Sequence, residues 1–157
     1  MIEYYKNALS EQEIIYLEKN VHEFYNHDTE IFHSLRADLI KIPLFFKFLI
    51  YEKLQAFSEK YKVEVGEIEF ARYRRYLPGD YIKPHNDNYK NGNRKVTIIF
   101  GINDQYSGGE LCINNTEFKI LRGDMLLFSS EIMHEVKTVT DGVRDIIVVL
   151  THTLENI

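Results

Sequence analysis

The chain has 157 residues, 45% hydrophobic and 27% charged, which is enough for one domain with a sizeable core. Its net charge of −5 argues against a general affinity for nucleic-acid phosphate. A single cysteine, Cys112, excludes an intramolecular disulfide and reads as a small apolar filler inside a strand. No apolar run approaches the length of a membrane span, and no charged segment followed by an apolar one opens the chain. The expected setting is therefore reducing and cytoplasmic, with no membrane partner. Eleven Tyr and ten Phe suit a sheet-rich core and an aromatic-lined pocket.

In chain order, Ser10-Glu11-Gln12-Glu13 reads as a capping box, with serine at the N-cap and glutamate three positions on. Ile14, Leu17, Val21 and Phe24 continue at helical spacing, which predicts a helix to about Tyr25. His22, His27 and His33 read as surface or interface histidines. Residues 30–35 suggest a short strand. Pro43 suits the first position of a second helix, and Phe46, Ile50, Leu54, Phe57 and Tyr61 line one face of it. That face is expected to lie against a sheet, making residues 1–62 a helical buttress.

From residue 63 the pattern changes to strands and turns. Residues 67–77 read as extended and carry the basic cluster Arg72, Arg74 and Arg75, taken as a solvated strand face. Leu77-Pro78-Gly79-Asp80 is a turn, and 81–85 a short strand. Residues 86–93, with Asn91-Gly92 at a turn, and 103–108 read as loops near the mouth of a site. The unbroken apolar run 96–100 fits a central strand covered on both faces. Strands are predicted at 110–113, 117–121 and 125–128, and a hairpin from 134–140 with 143–150. Short strands between frequent turns make a mostly β, double-sheet jelly-roll core over 63–157.

His85 and Asp87 are two apart, so on extended backbone their side chains leave the same face. An imidazole beside a carboxylate supplies two members of the 2-His-1-carboxylate triad that holds non-haem Fe(II) with open positions. His134, in Met133-His134-Glu135-Val136, is the candidate third ligand. Alone, a His-x-Asp pair is a weak signal and is far more often a hydrated surface turn than a metal site. Arg144 lies at the start of a late apolar run, where a buried guanidinium needs an anionic partner. A dicarboxylate would supply one. For His134 and Arg144 to share a face, the expected hairpin needs a bulged turn. A turn on Thr140-Asp141 with left-handed Gly142 then pairs Thr138 with Arg144.

A longer series of motifs runs in order from 68 to 150. It comprises Arg75-Tyr76, Gly79-Asp80-Tyr81, His85-x-Asp87, Arg94-x-x-Thr97, Gly108-Gly109-Glu110-Leu111, Gly123-Asp124-Met125-Leu126-Leu127-Phe128, His134-Glu135-Val136 and Gly142-Val143-Arg144. The series resembles the prolyl-4-hydroxylase-like branch of the Fe(II)/2-oxoglutarate oxygenases. That resemblance implies a single oxygenase domain over 1–157 built on a double-stranded β-helix. It also implies Fe(II) on His85, Asp87 and His134, and 2-oxoglutarate with its far carboxylate on Arg144. Tyr76 and Thr97 would lie near the co-substrate, with Leu111 and Val136 as apolar walls. O2 is the second co-substrate, and ascorbate a candidate reductant.

The reaction implied releases succinate and CO2 and hydroxylates an unactivated C–H bond. The substrate would be a prolyl residue of a peptide or protein, or a free amino acid. The same chemistry on another metabolite or peptide side chain, or a non-catalytic cupin-like metal or ligand-binding module, are the alternatives. Some family members carry a tyrosine where Gly101 stands here, and it helps hold the far carboxylate. Without it, Thr97, Thr138 or water must assist Arg144. None of these motifs bears on oligomeric state.

Overall fold

A computed structural model describes residues 1–88 and 93–153, so the predicted Asn91-Gly92 turn lies outside the described residues. Its elements are β1 (Ile2–Tyr5), α1 (Glu11–Lys19), β2 (Tyr25–Asn26), β3 (Phe32–His33), β4 (Leu35–Asp38) and α2 (Leu44–Tyr61). They continue with β5 (Glu67–Tyr76), β6 (Tyr81–His85), β7 (Arg94–Gly101), β8 (Tyr106–Gly108), β9 (Leu111–Ile113) and β10 (Thr116–Phe118). The last are β11 (Met125–Ser129), β12 (His134–Val136), β13 (Val139–Gly142) and β14 (Arg144–His152).

The capping box starts α1: Glu13 N–H donates to Ser10 Oγ, and Ser10 N–H donates to the Glu13 carboxylate. The helix stops at Lys19, earlier than its apolar spacing suggests. Asn20 closes it, donating its side-chain amide to the Tyr16 carbonyl. Val21 then leaves to bridge Leu39, and Tyr25 pairs with Arg36. Val21 and Phe24 still reach the core, but from extended chain. Strand pairing supplies what a further helical turn would have supplied, and the periodicity could not separate the two. Pro43, extended at φ −68° and ψ 155°, caps α2 from just outside. The α2 residues Phe46, Ile50, Leu54 and Phe57 are buried against the outer face of a large sheet, with the Phe46 ring 4.7 Å from that of Phe100. Residues 1–62 thus add four strands to the two helices expected of them.

The strands form a seven-stranded sheet in the order β1-β11-β7-β14-β5-β4-β2 and a five-stranded sheet in the order β10-β9-β12-β6-β3. Strands β13 and β8 pair separately. The two larger sheets face each other as a jelly roll. Central β7 is apolar on both faces because both are covered. Val96, Ile98 and Phe100 meet the helices, while Ile99 meets Leu126, Val136 and Ile146 between the sheets. Asn114 and Asn115, both at positive φ, turn β9 directly into β10.

The expected last hairpin fails. Residues 134–140 do not form a hairpin with 143–150. Strand β14 pairs with β5 and β7, β12 pairs with β6 and β9, and β13 pairs with β8. The polar segment Glu135-Val136-Lys137-Thr138 offers little apolar surface to the run in β14, which buries more between two long strands. Gly142 is left-handed, φ +74°, as expected, but not for a hairpin bulge. A Cβ there would lie 2.5 Å from the Gln105 carbonyl oxygen as the chain crosses between sheets. Residues 103–108 are likewise not a free mouth loop. Asn103 donates to the Val143 carbonyl and accepts from Asp145 N–H, both at 2.9 Å, and residues 106–108 form β8. No helix among the described residues is long and apolar enough to cross a membrane.

Fully buried Phe46 and exposed Phe48 test which face of α2 docks on the sheet. Phe46→Ala should destabilise the fold by about 3–5 kcal/mol in urea unfolding. Phe48→Ala should change it by less than about 0.5 kcal/mol. Equal losses would mean that the docked face is misassigned.

Candidate functional site

The antiparallel pairing of β6 with β12 sets His85 directly opposite His134, with ring centroids 4.3 Å apart. Asp87 follows β6, and its N–H donates to the Ser130 carbonyl at 2.9 Å. Its Oδ1 lies 3.3 Å from His85 Nε2 and its Oδ2 3.3 Å from His134 Nε2. One donor atom from each of the three lies within 4.8 Å of the others. Each imidazole Nδ1 is 2.9 Å from a backbone carbonyl, Lys83 for His85 and Ile132 for His134. With Nδ1–H donating there, each Nε2 faces the common centre, where loss of its proton gives the lone pair that a metal ligand needs. The Thr97 hydroxyl donates to Asp87 Oδ2 at 2.8 Å and lies 3.0 Å from Ser130 Oγ, which fixes the carboxylate.

Burial alone would raise the pKa of Asp87. Hydrogen bonds and charge from His134 and then His85 outweigh it and hold the carboxyl well below its usual range. For His134, burial pulls the pKa down, but the hydrogen bond and charge of Asp87 and the Ile132 carbonyl raise it overall.

A cavity of about 230 Å³ opens between the sheets beside this cluster. Asp87, His134, Thr97, Leu111, Val136, Tyr76 and Arg144 all line it. His134 and Arg144 therefore meet from opposite sheets, not along one hairpin face. Arg144 is 2% exposed, and its Nε and Nη1 have no hydrogen-bond partner among the described residues. Its guanidinium sits 4.9 Å from the centre of the Tyr76 ring, on the residue paired with it across β5. A buried, unpaired guanidinium is costly, and an anion in the cavity would remove that cost. Gly109 gives Arg144 room: a Cβ there would lie 3.0 Å from its Cδ. At Gly101 a Cβ would lie 2.2 Å from the Leu121 carbonyl oxygen, so a side chain there would force the backbone to move.

Several cavity residues were read otherwise from the sequence. Arg72 and Arg74 line the cavity and are not a solvated face; Arg74 is only 7% exposed. Arg75, on the alternate face of β5, makes a bidentate pair with Asp145 at 2.9 Å per bond. The period-two alternation that joins Arg72 and Arg74 to Tyr76 was the signal that separates them from Arg75. His27, read as a surface residue, lines the same cavity with Arg36, Phe32 and Phe70. Burial lowers its pKa, and Arg74, Arg36 and Arg72 lower it further. His33 stacks on Tyr81 at 4.5 Å, and Cys112 is half-buried.

A sequence profile described as the 2OG-Fe(II) oxygenase superfamily matches residues 68–152. A PKHD-type hydroxylase from Rippkaea orientalis is 36% identical over 87 residues, covering 48% of this chain and 39% of that protein. The chain spans less than half the length of such curated relatives. Among solved structures, a Pseudomonas putida prolyl-4-hydroxylase superposes with a TM-score of 0.78 at 14% identity, covering 98% of this chain and 93% of that one. The collagen prolyl hydroxylase of Paramecium bursaria Chlorella virus-1, solved with 2-oxoglutarate, gives 0.75 at 18% identity over 98% and 96%. These two likenesses concern the fold.

The coupled titration of His134 and Asp87 makes metal affinity depend on pH. The raised His134 pKa means that the ion pair stabilises the metal-free protein fully below about pH 6.5, and that this is lost as pH rises through the folded-state value. The depressed Asp87 pKa adds stability above about pH 3.9 that is lost as pH falls through its lower folded value. Calorimetric titration with Mn(II) should therefore show proton release and affinity rising with pH from about 6.5 upward. A flat profile across that window would contradict the assigned donors.

Proposed function

The chain belongs to the 2OG-Fe(II) oxygenase superfamily, and on that premise we propose that it is an Fe(II)- and 2-oxoglutarate-dependent hydroxylase of the prolyl-4-hydroxylase type. Its substrate is a prolyl residue of a peptide or protein, or a free amino acid, and its setting is reducing and cytoplasmic. The observation that carries the reading is the pairing of two features in one cavity. One is a donor set of two imidazoles and a carboxylate; the other is a buried guanidinium whose Nε and Nη1 lack a hydrogen-bond partner among the described residues.

The residues present fit both groups that the family implies. His85 and His134 would hold the metal through Nε2, and Asp87 through its carboxylate. Arg144 would take the far carboxylate of 2-oxoglutarate in a charge-assisted pair. When bound, metal and co-substrate supply the oxidising chemistry that turns O2 and 2-oxoglutarate into succinate, CO2 and a hydroxylated carbon. The protein's part is positional. Thr97 and Ser130 lock the Asp87 carboxylate. The Lys83 and Ile132 carbonyls fix the imidazole tautomers. Tyr76 and Gly109 define the channel in which Arg144 lies. Leu111, Val136, Ile99 and Ile146 keep the walls apolar, which strengthens each charged contact by excluding water. With Gly101 in place of a tyrosine, Arg144 carries more of the co-substrate's charge.

Anaerobic titration with Fe(II) and 2-oxoglutarate, followed by the visible metal-to-ligand charge-transfer band, tests these roles. His134→Ala should abolish the band. Arg144→Gln should retain it at saturation but weaken 2-oxoglutarate binding by roughly 30-fold or more. An undiminished band in His134→Ala would refute the ligand assignment. Unchanged half-saturation in Arg144→Gln would refute the anion role. Aerobic succinate release then separates the hydroxylase from a metal-binding module without turnover.

A further inference from the structure

Arg144 is not the only cation that faces this cavity. Antiparallel pairing of β4 with β5 places Arg36 opposite Arg74, and Asp38 opposite Arg72. All three arginines line the cavity. Like charges set directly across two strands destabilise a sheet, so the pairing requires a compensating group.

Within the protein that group is insufficient. Arg36 and Arg72 share Asp38, at 3.9 and 3.7 Å, and the Asp38 side chain is half-exposed. Arg36 Nε is buried without a hydrogen-bond partner. Arg74 has no carboxylate partner among the described residues; its Nη1 lies 3.3 Å from Ser34 Oγ. Among the described residues, three guanidiniums thus face one carboxylate, an excess of two positive charges. Arg94, on the same wall, is paired with Glu69. Aromatic rings hold the forks in place: Arg74 lies 4.9 Å from the Phe32 ring centre and Arg72 3.7 Å from that of Phe70. The set is oriented, with Arg74 buried and Arg36 and Arg72 partly so, and fork geometry suits a carboxylate.

We propose that Arg36, Arg72 and Arg74 bind a carboxylate of the substrate, so that this hydroxylase acts on an acidic substrate, either a peptide with acidic residues beside the reacting one or a free acidic amino acid. The proposal rests on the oxygenase reading of the cavity, in which Arg144 is already committed to the co-substrate. The second anion therefore belongs to the molecule being hydroxylated. His27, lining the same space, is a further hydrogen-bonding group for it.

The test is anaerobic calorimetry on the full chain with Fe(II) and saturating 2-oxoglutarate. One arm compares acetyl-Glu-Pro-Glu-amide with acetyl-Gln-Pro-Gln-amide, and the other compares free glutamate with glutamine. The acidic member of at least one pair should bind roughly tenfold tighter or more, with the preference shrinking as salt rises. The arm that shows it identifies the source of the carboxylate. Arg74→Gln and Arg36→Gln should each remove most of that preference. Arg36→Glu, at a more exposed position, should turn it toward acetyl-Lys-Pro-Lys-amide and serves if the buried Arg74 variant does not fold. No preference in either arm overturns the proposal. So does a preference that survives all the arginine variants, or one that vanishes as 2-oxoglutarate is raised, since the carboxylate would then lie elsewhere. The charge-transfer band, recorded on the same samples, separates the two readings. A normal band without an acid preference removes only this proposal. An absent band with the preference intact removes the oxygenase reading and leaves an acid-binding cavity.

Discussion

The structure depends first on the antiparallel pairing of β6 with β12. That register sets His85 and His134 face to face although they are far apart in sequence. Asp87 can complete the cluster only because its backbone is tied to Ser130, which follows β11, and its carboxylate to Thr97 on β7. The three donors therefore draw on both large sheets. The metal-ligating geometry is a consequence of how the sheets face each other, and it cannot survive their separation.

The same arrangement concentrates positive charge in an interior that has little means of neutralising it. Asp87 is engaged with two imidazoles, and Asp38 is half-exposed. Against these stand Arg144, Arg36, Arg72 and Arg74 on the cavity wall. A protein selected for stability alone would fill such positions with apolar side chains, since buried charges rarely return their desolvation cost. The excess is coherent if the cavity is completed by anions that enter from solution.

Much of this was legible in the sequence where the signal was local. The capping box, the apolar face of α2 and the His-x-Asp spacing each follow from a few neighbouring residues. Pairing between distant strands did not follow. Asp141-Gly142 between two β segments suggests a hairpin, but no local pattern reports that β14 has both edges taken by β5 and β7. His134 and Arg144 line one cavity, but from opposite sheets and not through the hairpin register that the sequence suggests. The arginine cluster was misread for a different reason. Arg72, Arg74 and Arg75 looked like one basic patch, whereas strand alternation sends two inward and one to the helices. Arg36, their partner across the sheet, carried no sequence signal of its own.

The helix-facing side of the same strands explains why the inward set stays inward. Asp145, immediately after Arg144, accepts two hydrogen bonds from Arg75 and one from Tyr73 at 2.8 Å. Asn103 holds its N–H from the β7 side. Burial and the neighbouring Asp145 both raise the Tyr73 pKa, so the phenol stays a donor. The Arg75 pKa is raised chiefly by its hydrogen bond to Asp145, so the pair stays ionised. A slip of β14 by one residue would break all of these contacts and exchange the faces of Arg144 and Asp145. It would put a carboxylate into the cavity and a guanidinium under α2. The polar network on the far face thus sets the register that points Arg144 at its anion, and the neighbouring rows of β5 and β4 inherit that register as the orientation of Arg74, Arg72 and Arg36.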